Sequence, residues 1–280
     1  MFSNRKIVLV TGSNKGIGYG IIETLLEKKS NYRIILTSRN EDLGKKSFNK
    51  LLGQFPYSKD YFFYHQLDIT NNDSISNLIS WIKKQFGKID YLVNNAGLGT
   101  HGVTTDIKLH FGVLDVNVFG TINFTEQMIK HNMINKKGKI ILVGSMMGNL
   151  NRLNSYQLKN NFKNAKTTQE LINLGQSFKN SIINNPVEKD GWCRNSYCVS
   201  KMIVNTYSRV LSYREEIEKN DISVYSAHPG WVKTDMTGPE APLTIKEGAE
   251  NEIFLIELPD GINKEYQGKY FDRFRVTSFG

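Results

Sequence analysis

The chain has 280 residues, which is enough for one large α/β domain with a well-buried core. Its formal net charge is +9, but the basic residues are scattered and no nucleic-acid recognition motif accompanies them. We therefore expect a basic solvated surface and no nucleic-acid partner; attraction of an anionic cofactor is the alternative explanation of the charge. No apolar stretch approaches the roughly 20 residues of a membrane-spanning helix, so no membrane partner is expected.

The first strand-like run begins at Lys6, which leaves no room for a cleavable leader. We interpret Cys193 and Cys198 as free thiols of a reducing compartment, with a redox role as the alternative. No cluster of His, Cys and carboxylate residues predicts a metal site. These observations favour a cytoplasmic protein.

Short β-branched runs alternate with helical patterns along the chain. The runs that predict strands are residues 6–10, 33–37, 61–65, 91–93, 139–143 and 222–226. The segments between them have the apolar spacing of amphipathic helices. This alternation predicts βαβ units and an α/β fold, a single Rossmann-type domain over residues 1–280 with a doubly wound parallel sheet of about seven strands.

The stretch from about residue 146 to 195 interrupts the alternation, because it contains no strand candidate. Thr167 and Glu170 have the spacing of a capping box at the start of a helix. The apolar side chains that then share one helix face are Leu171, Leu174, Phe178 and Ile182. Residues 157–166 are a candidate for a second short helix. We interpret the stretch as a helical insertion before the helix that carries Tyr197.

Gly12, Gly16 and Gly18 lie between the first strand and the first helix. Gly12 permits a sharp turn, and Gly16 and Gly18 allow the backbone to approach a pyrophosphate at the positive end of the helix. This context predicts a dinucleotide site, with a purely structural turn as the alternative. An ATP-binding Walker A loop is excluded, because no Gly-Lys-Ser/Thr triplet ends the segment.

The end of the second predicted strand favours NADPH over NADH. NAD-selective folds have an acidic residue there, which holds the ribose 2′-hydroxyl, whereas this chain has Arg39. Arg39 can bind a 2′-phosphate through two hydrogen bonds, and Lys15 can reach the same phosphate. The alternative for Arg39 is a solvated surface residue. Asp68, after the third strand, either accepts a hydrogen bond from the adenine amino group or caps the next helix.

Tyr197 and Lys201 are four residues apart and share one face of a helix. A free phenol has a pKa of about 10, which a nearby ammonium lowers, so Tyr197 is the candidate general acid. Lys201 can also hold the nicotinamide ribose. Ser145 follows a strand and can donate a hydrogen bond to a substrate carbonyl, or it simply ends the strand. Asn117 can hold a water that links to Lys201, or it is a satisfied core amide.

Two further loops are expected beside the cofactor. Asn95 and Gly97 follow the fourth strand, and we favour direct cofactor contact and a structural role equally. Val232 and Thr234 follow the sixth strand and can hold the nicotinamide carboxamide.

The predicted substrate site contains Ser145 and Tyr197. Its apolar wall is assigned to Met147, Trp231 and Met236, with core packing as the alternative.

These residues resemble the short-chain dehydrogenase/reductase superfamily, and in particular its monomeric NADPH-dependent carbonyl reductases. The likeness covers nearly the whole chain and is carried by residues 11–18 (TGSNKGIG), 65–69 (HQLDI), 229–236 (PGWVKTDM) and 247–250 (EGAE). The resemblance implies a catalytic tetrad of Asn117, Ser145, Tyr197 and Lys201. The NADPH contacts that it implies are Asn14, Lys15, Ile17, Arg39, Asp68, Asn95, Val232 and Thr234.

The resemblance also implies a monomer, because in this subfamily the helical insertion covers the surface through which other members oligomerise. The chain departs from the family pattern at His228 and at residues 98–100 (LGT), both near the expected substrate mouth.

We therefore expect hydride transfer from NADPH to a small-molecule ketone, aldehyde or quinone, with Tyr197 protonating the oxygen. One alternative is an alcohol dehydrogenase that oxidises a sterol, retinoid or alkaloid-type alcohol. The other is a catalytically idle nucleotide-binding subunit of a larger assembly.

Overall fold

The computed structural model of the protein describes residues 5–29, 31–100, 106–184 and 187–280. Their strands form one sheet and are β1 (Lys6–Val10), β2 (Tyr32–Ser38), β3 (Phe62–Gln66), β4 (Ile89–Asn94), β5 (Ile134–Val143), β6 (Ser223–His228), β7 (Tyr270–Asp272) and β8 (Arg275–Thr277). The spatial order is β3-β2-β1-β4-β5-β6-β7-β8. All neighbours are parallel except β7 and β8, which are antiparallel.

The α-helices of the described residues connect and flank these strands. They are α1 (Gly16–Glu27), α2 (Glu41–Gln54), α3 (Asn72–Gln85), α4 (Ile107–Leu114), α5 (Thr121–Lys130), α6 (Tyr156–Asn164), α7 (Thr168–Asn184), α8 (Ser196–Ser212), α9 (Glu215–Lys219) and α10 (Ile245–Glu257). Helices α1, α2 and α10 bury their apolar sides on one face of the sheet, and α3 to α9 cover the other. The predicted doubly wound parallel sheet is confirmed. None of the described helices is long and apolar enough to cross a membrane.

The central strands are apolar on both faces because helices cover both faces. In β2, Ile34 and Leu36 pack toward α1 and α2, whereas Ile35 packs into the opposite cluster. Each of the six predicted strands is present, although β5 begins earlier than predicted, at Ile134. The described residues form eight strands, one more than the predicted number of about seven. Neither β7 nor β8 was among the six named runs, because each has only three residues and shows no periodicity.

The predicted helical insertion is also present. Helices α6 and α7 occupy it and pack against α8. The predicted capping box opens α7, since Glu170 Oε2 accepts a hydrogen bond from Thr167 N at 2.8 Å and Thr167 Oγ1 accepts one from Glu170 N at 3.3 Å. Beneath α7, the ring of Phe178 lies 5.3 Å from that of Trp192, and both side chains are buried.

We expect Phe178→Ala to lower the free energy of unfolding by about 3–5 kcal/mol, because it leaves a cavity beside Trp192. Urea unfolding followed by circular dichroism measures this. The control is Ile183→Ala on the same helix, whose side chain is 59% exposed, and its effect should stay within about 0.5 kcal/mol. Equal effects of the two variants would contradict a packed core beneath α7.

Candidate active site

The loop between β1 and α1 lies directly against the end of β4. Gly12 has a φ of +59°, and a Cβ atom there would lie 2.8 Å from Ala96 Cα. A Cβ atom on Gly18 would lie 2.4 Å from Asn95 Nδ2 and 2.8 Å from Ser13 Cα. Glycine is therefore required at both positions by the close approach of backbone segments.

The start of α1 is open to an anion. Its N-cap residue, Lys15, makes no side-chain capping hydrogen bond, whereas Asn40 and Asn71 cap α2 and α3 through their side chains. The first N–H groups of α1 are thus not satisfied by a capping side chain, and the helix dipole adds a positive potential. Gly16 and Ile17, in this first turn, are half-buried. We call the glycine loop and the first turn of α1, residues 12–18, the cradle. It fits the pyrophosphate of a dinucleotide.

Asn95 holds the glycine loop in place. Its Nδ2 donates hydrogen bonds to the carbonyl oxygens of Thr11 at 2.8 Å and Gly12 at 3.1 Å. The structural role that the sequence left open for Asn95 is therefore observed. The backbone at Gly97 lies close to the Asn117 side chain, since a Cβ atom at Gly97 would be 3.3 Å from Asn117 Oδ1.

Two cations lie in the loops that follow β1 and β2, which are neighbouring strands. Arg39, just after β2, is exposed, and its guanidinium makes no hydrogen bond or ion pair with any residue that the structure describes. Lys15 Nζ lies 2.7 Å from Asp235 Oδ2, and this contact lowers the pKa of the Asp235 carboxyl. The backbone carbonyl of Asn14, next to Lys15, accepts a hydrogen bond from Ser47 Oγ at 2.7 Å. Arg39 is thus the more available partner for a phosphate.

Asp68 is not the N-cap of α3, so that interpretation is wrong. Asn71 is the capping residue, with its side chain accepting a hydrogen bond from Ser74 N at 2.9 Å. Asp68 Oδ1 instead accepts hydrogen bonds from Thr70 N at 2.9 Å and Thr70 Oγ1 at 2.6 Å. The adenine contact of Asp68 stays a prediction.

The structure brings Ser145, Tyr197 and Lys201 together beyond the carboxyl end of β5. Interaction with the Ser145 side chain lowers the pKa of Tyr197. Lys201 Nζ lies 5.6 Å from the centre of the Tyr197 ring and donates a hydrogen bond to Val143 O at 2.6 Å. Ser145 Oγ accepts a hydrogen bond from Met147 N at 3.1 Å, which leaves the Ser145 hydroxyl proton for another acceptor.

Burial changes the acidity of both titratable groups of this site. It raises the pKa of Tyr197 to about 12, although the interaction with the Ser145 side chain acts in the opposite direction. Burial lowers the pKa of Lys201 to about 8, and the Glu252 carboxylate opposes this effect. The phenol therefore needs a positive charge nearby before it can transfer a proton at neutral pH.

Asn117 lies in a π-helical turn, Asp115–Gly120, between α4 and α5. Its Nδ2 donates hydrogen bonds to Leu98 O at 2.8 Å and Ser200 Oγ at 3.0 Å, and its Oδ1 accepts one from Leu98 N at 2.7 Å. Protein groups thus form the hydrogen bonds of the Asn117 amide, as expected if Asn117 is a structural core residue. The irregular turn brings it against Ser200, the neighbour of Lys201, and its part in proton transfer stays a prediction.

Asn205 is a site residue that the sequence reasoning missed. Its Nδ2 donates a hydrogen bond to Ser145 O at 3.0 Å, and its Oδ1 accepts one from Ser226 Oγ at 3.2 Å. It follows Tyr197 and Lys201 at intervals of four residues, so all three share one face of α8. The sequence signal that could have identified Asn205 is the occurrence of three polar residues at intervals of four on one buried helix.

The loop after β6 forms the other wall of the site. Thr234 Cγ2 would lie 3.5 Å from a Cβ atom on Gly16, so this loop faces the glycine loop. Val232 is buried, and its carbonyl accepts a hydrogen bond from Thr237 Oγ1. Val232 is therefore fixed in position, whereas contact with a carboxamide stays a prediction for both Val232 and Thr234.

The predicted substrate-wall residues differ in exposure. Trp231 is 53% exposed, and Met147 and Met236 are half-buried. Met236 Cγ lies only 2.4 Å from the position of a Cβ atom on Gly99. A side chain at position 99 would therefore displace Met236, which gives a physical reason for the departure from the family pattern at residues 98–100.

Cys193 and Cys198 both carry free thiols. Among the residues that the structure describes, no three His, Cys, Asp or Glu side chains are grouped as a metal ion would require.

Residues 6–157 match the family model described as short chain dehydrogenase. Carbonyl reductase (NADPH) 1 from Mus musculus is 33% identical over 267 residues, which cover 92% of this chain and 93% of that protein. The (+)-neomenthol dehydrogenase of Arabidopsis thaliana is 31% identical, covering 98% of each chain. The solved structure of salutaridine reductase from Papaver somniferum gives a TM-score of 0.85 at 27% identity, with 96% of this chain and 100% of that one covered.

The chain belongs to the short-chain dehydrogenase family. It is an oxidoreductase of that family, as the sequence predicted.

We expect Gly18→Ala to destabilise the cofactor-free protein by about 1–3 kcal/mol, because the new Cβ atom would collide with Ser13 backbone and Asn95. The matched control is Gly53→Ala in α2, where no atom lies within 4 Å of the new Cβ atom. Its higher helix propensity should stabilise the protein by up to about 1 kcal/mol. Urea unfolding of both variants checks the opposite signs, and a stabilised Gly18→Ala would contradict the tight backbone approach.

Proposed function

We propose that the protein is an NADPH-dependent carbonyl reductase for small-molecule ketones, aldehydes or quinones. The observation that carries this proposal is the group of Ser145, Tyr197 and Lys201 beyond the carboxyl end of β5, beside an open glycine cradle. The relatives named carbonyl reductase (NADPH) 1 support the same reaction class.

The residues of the cradle fit a nicotinamide dinucleotide with a 2′-phosphate, because Arg39 at the end of β2 is exposed and Lys15 of the glycine loop, which contacts Asp235, adds a second cation. The residues that would hold NADPH are Gly12, Asn14, Lys15, Gly16, Ile17, Gly18, Arg39, Asp68, Asn95, Gly97, Tyr197, Lys201, Val232 and Thr234. When bound, NADPH supplies the hydride.

Tyr197 supplies the proton. Its hydroxyl donates to the substrate oxygen, and the adjacent Lys201 ammonium stabilises the phenolate that remains. Ser145 donates a second hydrogen bond to the same oxygen, because its Oγ accepts from Met147 N and its hydroxyl proton remains available for the substrate. Asn117 Nδ2 donates a hydrogen bond to Ser200 Oγ, which holds Asn117 against the helix that carries Lys201, and we propose that Lys201 and Asn117 relay the proton.

Oxidation of an alcohol with NADP⁺ is the second candidate. The similarity to (+)-neomenthol dehydrogenase favours it, since that relative is named for the reverse direction. Comparison of carbonyl reduction with alcohol oxidation at matched cofactor concentrations separates the two.

We further propose a monomeric, cytoplasmic enzyme. The packing of α6 and α7 over α8 supports the monomer, because the insertion covers this helix.

Tyr197→Phe should reduce kcat by about 10²–10⁴-fold, because it removes the proton donor. NADPH oxidation is measured by its absorbance with isatin, menadione, a medium-chain aldehyde and a bulky ketone. NADPH affinity, measured by protein fluorescence, should change little.

The matched control is Tyr213→Phe, at the end of the same helix, where the side chain is 76% exposed. It should keep wild-type turnover. Wild-type turnover by Tyr197→Phe with any of these carbonyls would exclude Tyr197 as the acid.

Arg39→Gln should lower kcat/KM for NADPH by about 10–100-fold, because a charge-assisted hydrogen bond contributes about 1.5–3 kcal/mol. The value for NADH should stay within a factor of about two, since that cofactor has no 2′-phosphate. Arg275→Gln, in exposed β8, removes the same charge elsewhere and should leave both values unchanged. Parallel losses for both cofactors in Arg39→Gln would show that Arg39 does not select the phosphate.

A further inference from the structure

A surface pocket lies between the glycine loop and the segment that follows β6. Its volume is about 560 Å³, and its lining includes Lys15 of the glycine loop together with Lys233 and Asp235 of the segment after β6. Lys50 of α2 lines the same pocket. Among the described residues of this lining, Asp235 is the single carboxylate beside the three lysines. The proposed reaction assigns no role to Asp235, although a carboxylate opposes the binding of an anion nearby.

Asp235 forms an ion pair across this pocket. Its Oδ2 lies 2.7 Å from Lys15 Nζ, and the two residues are 220 positions apart in the sequence. The ion pair therefore joins the loop after β1 to the loop after β6. The contact with Lys15 lowers the pKa of the Asp235 carboxyl, so this group is ionised at neutral pH.

Hydrogen bonds within the segment after β6 hold Asp235 in place. Thr237 Oγ1 accepts a hydrogen bond from Thr234 N at 3.1 Å, and Gly238 N donates one to Thr234 O at 2.9 Å. Thr234 also faces the glycine loop, since its Cγ2 lies 3.5 Å from the position of a Cβ atom on Gly16. The backbone on both sides of Asp235 is thus fixed beside the glycine loop, and its carboxylate is positioned to contact Lys15.

Lys15 is also one of the two cations proposed to bind the 2′-phosphate of NADPH. Its ammonium group is less available to a phosphate while it bonds to Asp235, because the carboxylate already provides an opposite charge and a hydrogen-bond acceptor. The Lys15 and Asp235 side chains are 67% and 78% exposed. An ion pair with this exposure is weak, so the carboxylate can compete with the phosphate but cannot exclude it.

We propose that Asp235 is a specificity-determining residue for the cofactor, because it competes with the 2′-phosphate of NADPH for Lys15. This inference rests on the proposed binding of NADPH in the cradle. The competition weakens the binding of NADPH relative to NADH, which has no phosphate at this position. Arg39 favours the 2′-phosphate and Asp235 reduces that preference, so the ratio of the two affinities depends on both residues.

The test measures the binding of two nucleotides that differ only in the 2′-phosphate. The probes are adenosine 2′,5′-bisphosphate and adenosine 5′-monophosphate, whose dissociation constants are measured by isothermal titration calorimetry at low salt. We expect Asp235→Asn to tighten binding of the bisphosphate by about 2- to 5-fold, because an exposed carboxylate no longer competes for Lys15. Binding of the monophosphate should not change. In about 0.5 M salt the gain should shrink, since exposed charges are screened.

Glu240→Gln is the matched control, since it removes the same charge from an exposed side chain of the segment between β6 and α10. It should leave the affinity for both nucleotides unchanged. In a Lys15→Gln background, Asp235→Asn should give no further gain, because that background has no ammonium group to release. An unchanged or weaker preference for the bisphosphate in Asp235→Asn would overturn the proposal. A gain that persists without Lys15, or that Glu240→Gln reproduces, would do the same.

A second readout follows the carboxylate itself. NMR titration of the protein with ¹³C-labelled aspartate carboxyl groups, with the Asp235 signal assigned by Asp235→Asn, reports the pKa of Asp235. Lys15→Gln should raise this pKa, and adenosine 2′,5′-bisphosphate should raise it in the wild type, because each removes the ammonium from the carboxylate. A pKa that neither change moves would contradict the competition.

These measurements do not depend on the carbonyl substrate. If Asp235→Asn shows the expected gain while no carbonyl compound is reduced, the competition is supported and the proposed reductase activity fails. If carbonyl compounds are reduced with NADPH while Asp235→Asn binds both nucleotides as the wild type does, the activity is supported and the competition fails.

Discussion

The close contact between α8 and the turn after β5 is the constraint on which the site depends. A Cβ atom on Gly148 would lie 2.5 Å from the main-chain carbon of Lys201, so the turn and the helix touch through their backbones. Lys201 Nζ bonds to Val143 O at 2.6 Å, and Asn205 Nδ2 bonds to Ser145 O at 3.0 Å. Because each contact uses a main-chain atom, the position of the hydroxyl of Ser145 relative to α8 is fixed before any ligand binds.

Burial of the site also disfavours the charged forms of its two titratable groups. The pKa of Tyr197 is raised to about 12, and burial lowers that of Lys201, so both groups are shifted away from their charged forms. Each pKa unit corresponds to about 1.4 kcal/mol of differential stabilisation of the two protonation states. In the proposed reaction, proton transfer from Tyr197 therefore depends on positive charge near the ring, and Lys201 can supply this charge only while it is protonated. The pKa of Tyr197 is thus set by the charges that surround its phenol group.

Local patterns predicted the features that depend on neighbouring residues. The six strands were found from their apolar runs, and the start of α7 from the capping box of Thr167 and Glu170. Asp68 was open to misassignment because Asn71, three residues later, competes for the same helix end. Burial of Glu252 could not be predicted, since it depends on how α10 crosses the ends of β6 and β7. The resemblance implied the tetrad, whereas the contacts of Asn117 with Leu98 and Ser200 required the fold.

The side chains around the site argue for weak discrimination among apolar carbonyl compounds. Met147 is two residues after Ser145, and Met236 lies against Gly99, so two unbranched, flexible thioethers belong to the loops around the proposed site. Methionine adapts to ligands of different shape. One methylene group more or less in an apolar pocket changes the relative rate by only about 1–3 kcal/mol. In the proposed reaction, by contrast, the hydroxyl groups of Ser145 and Tyr197 both bind the substrate oxygen and so fix its position. For the proposed carbonyl reduction, selectivity therefore resides in the placement of the carbonyl oxygen, while the apolar remainder of the substrate can vary.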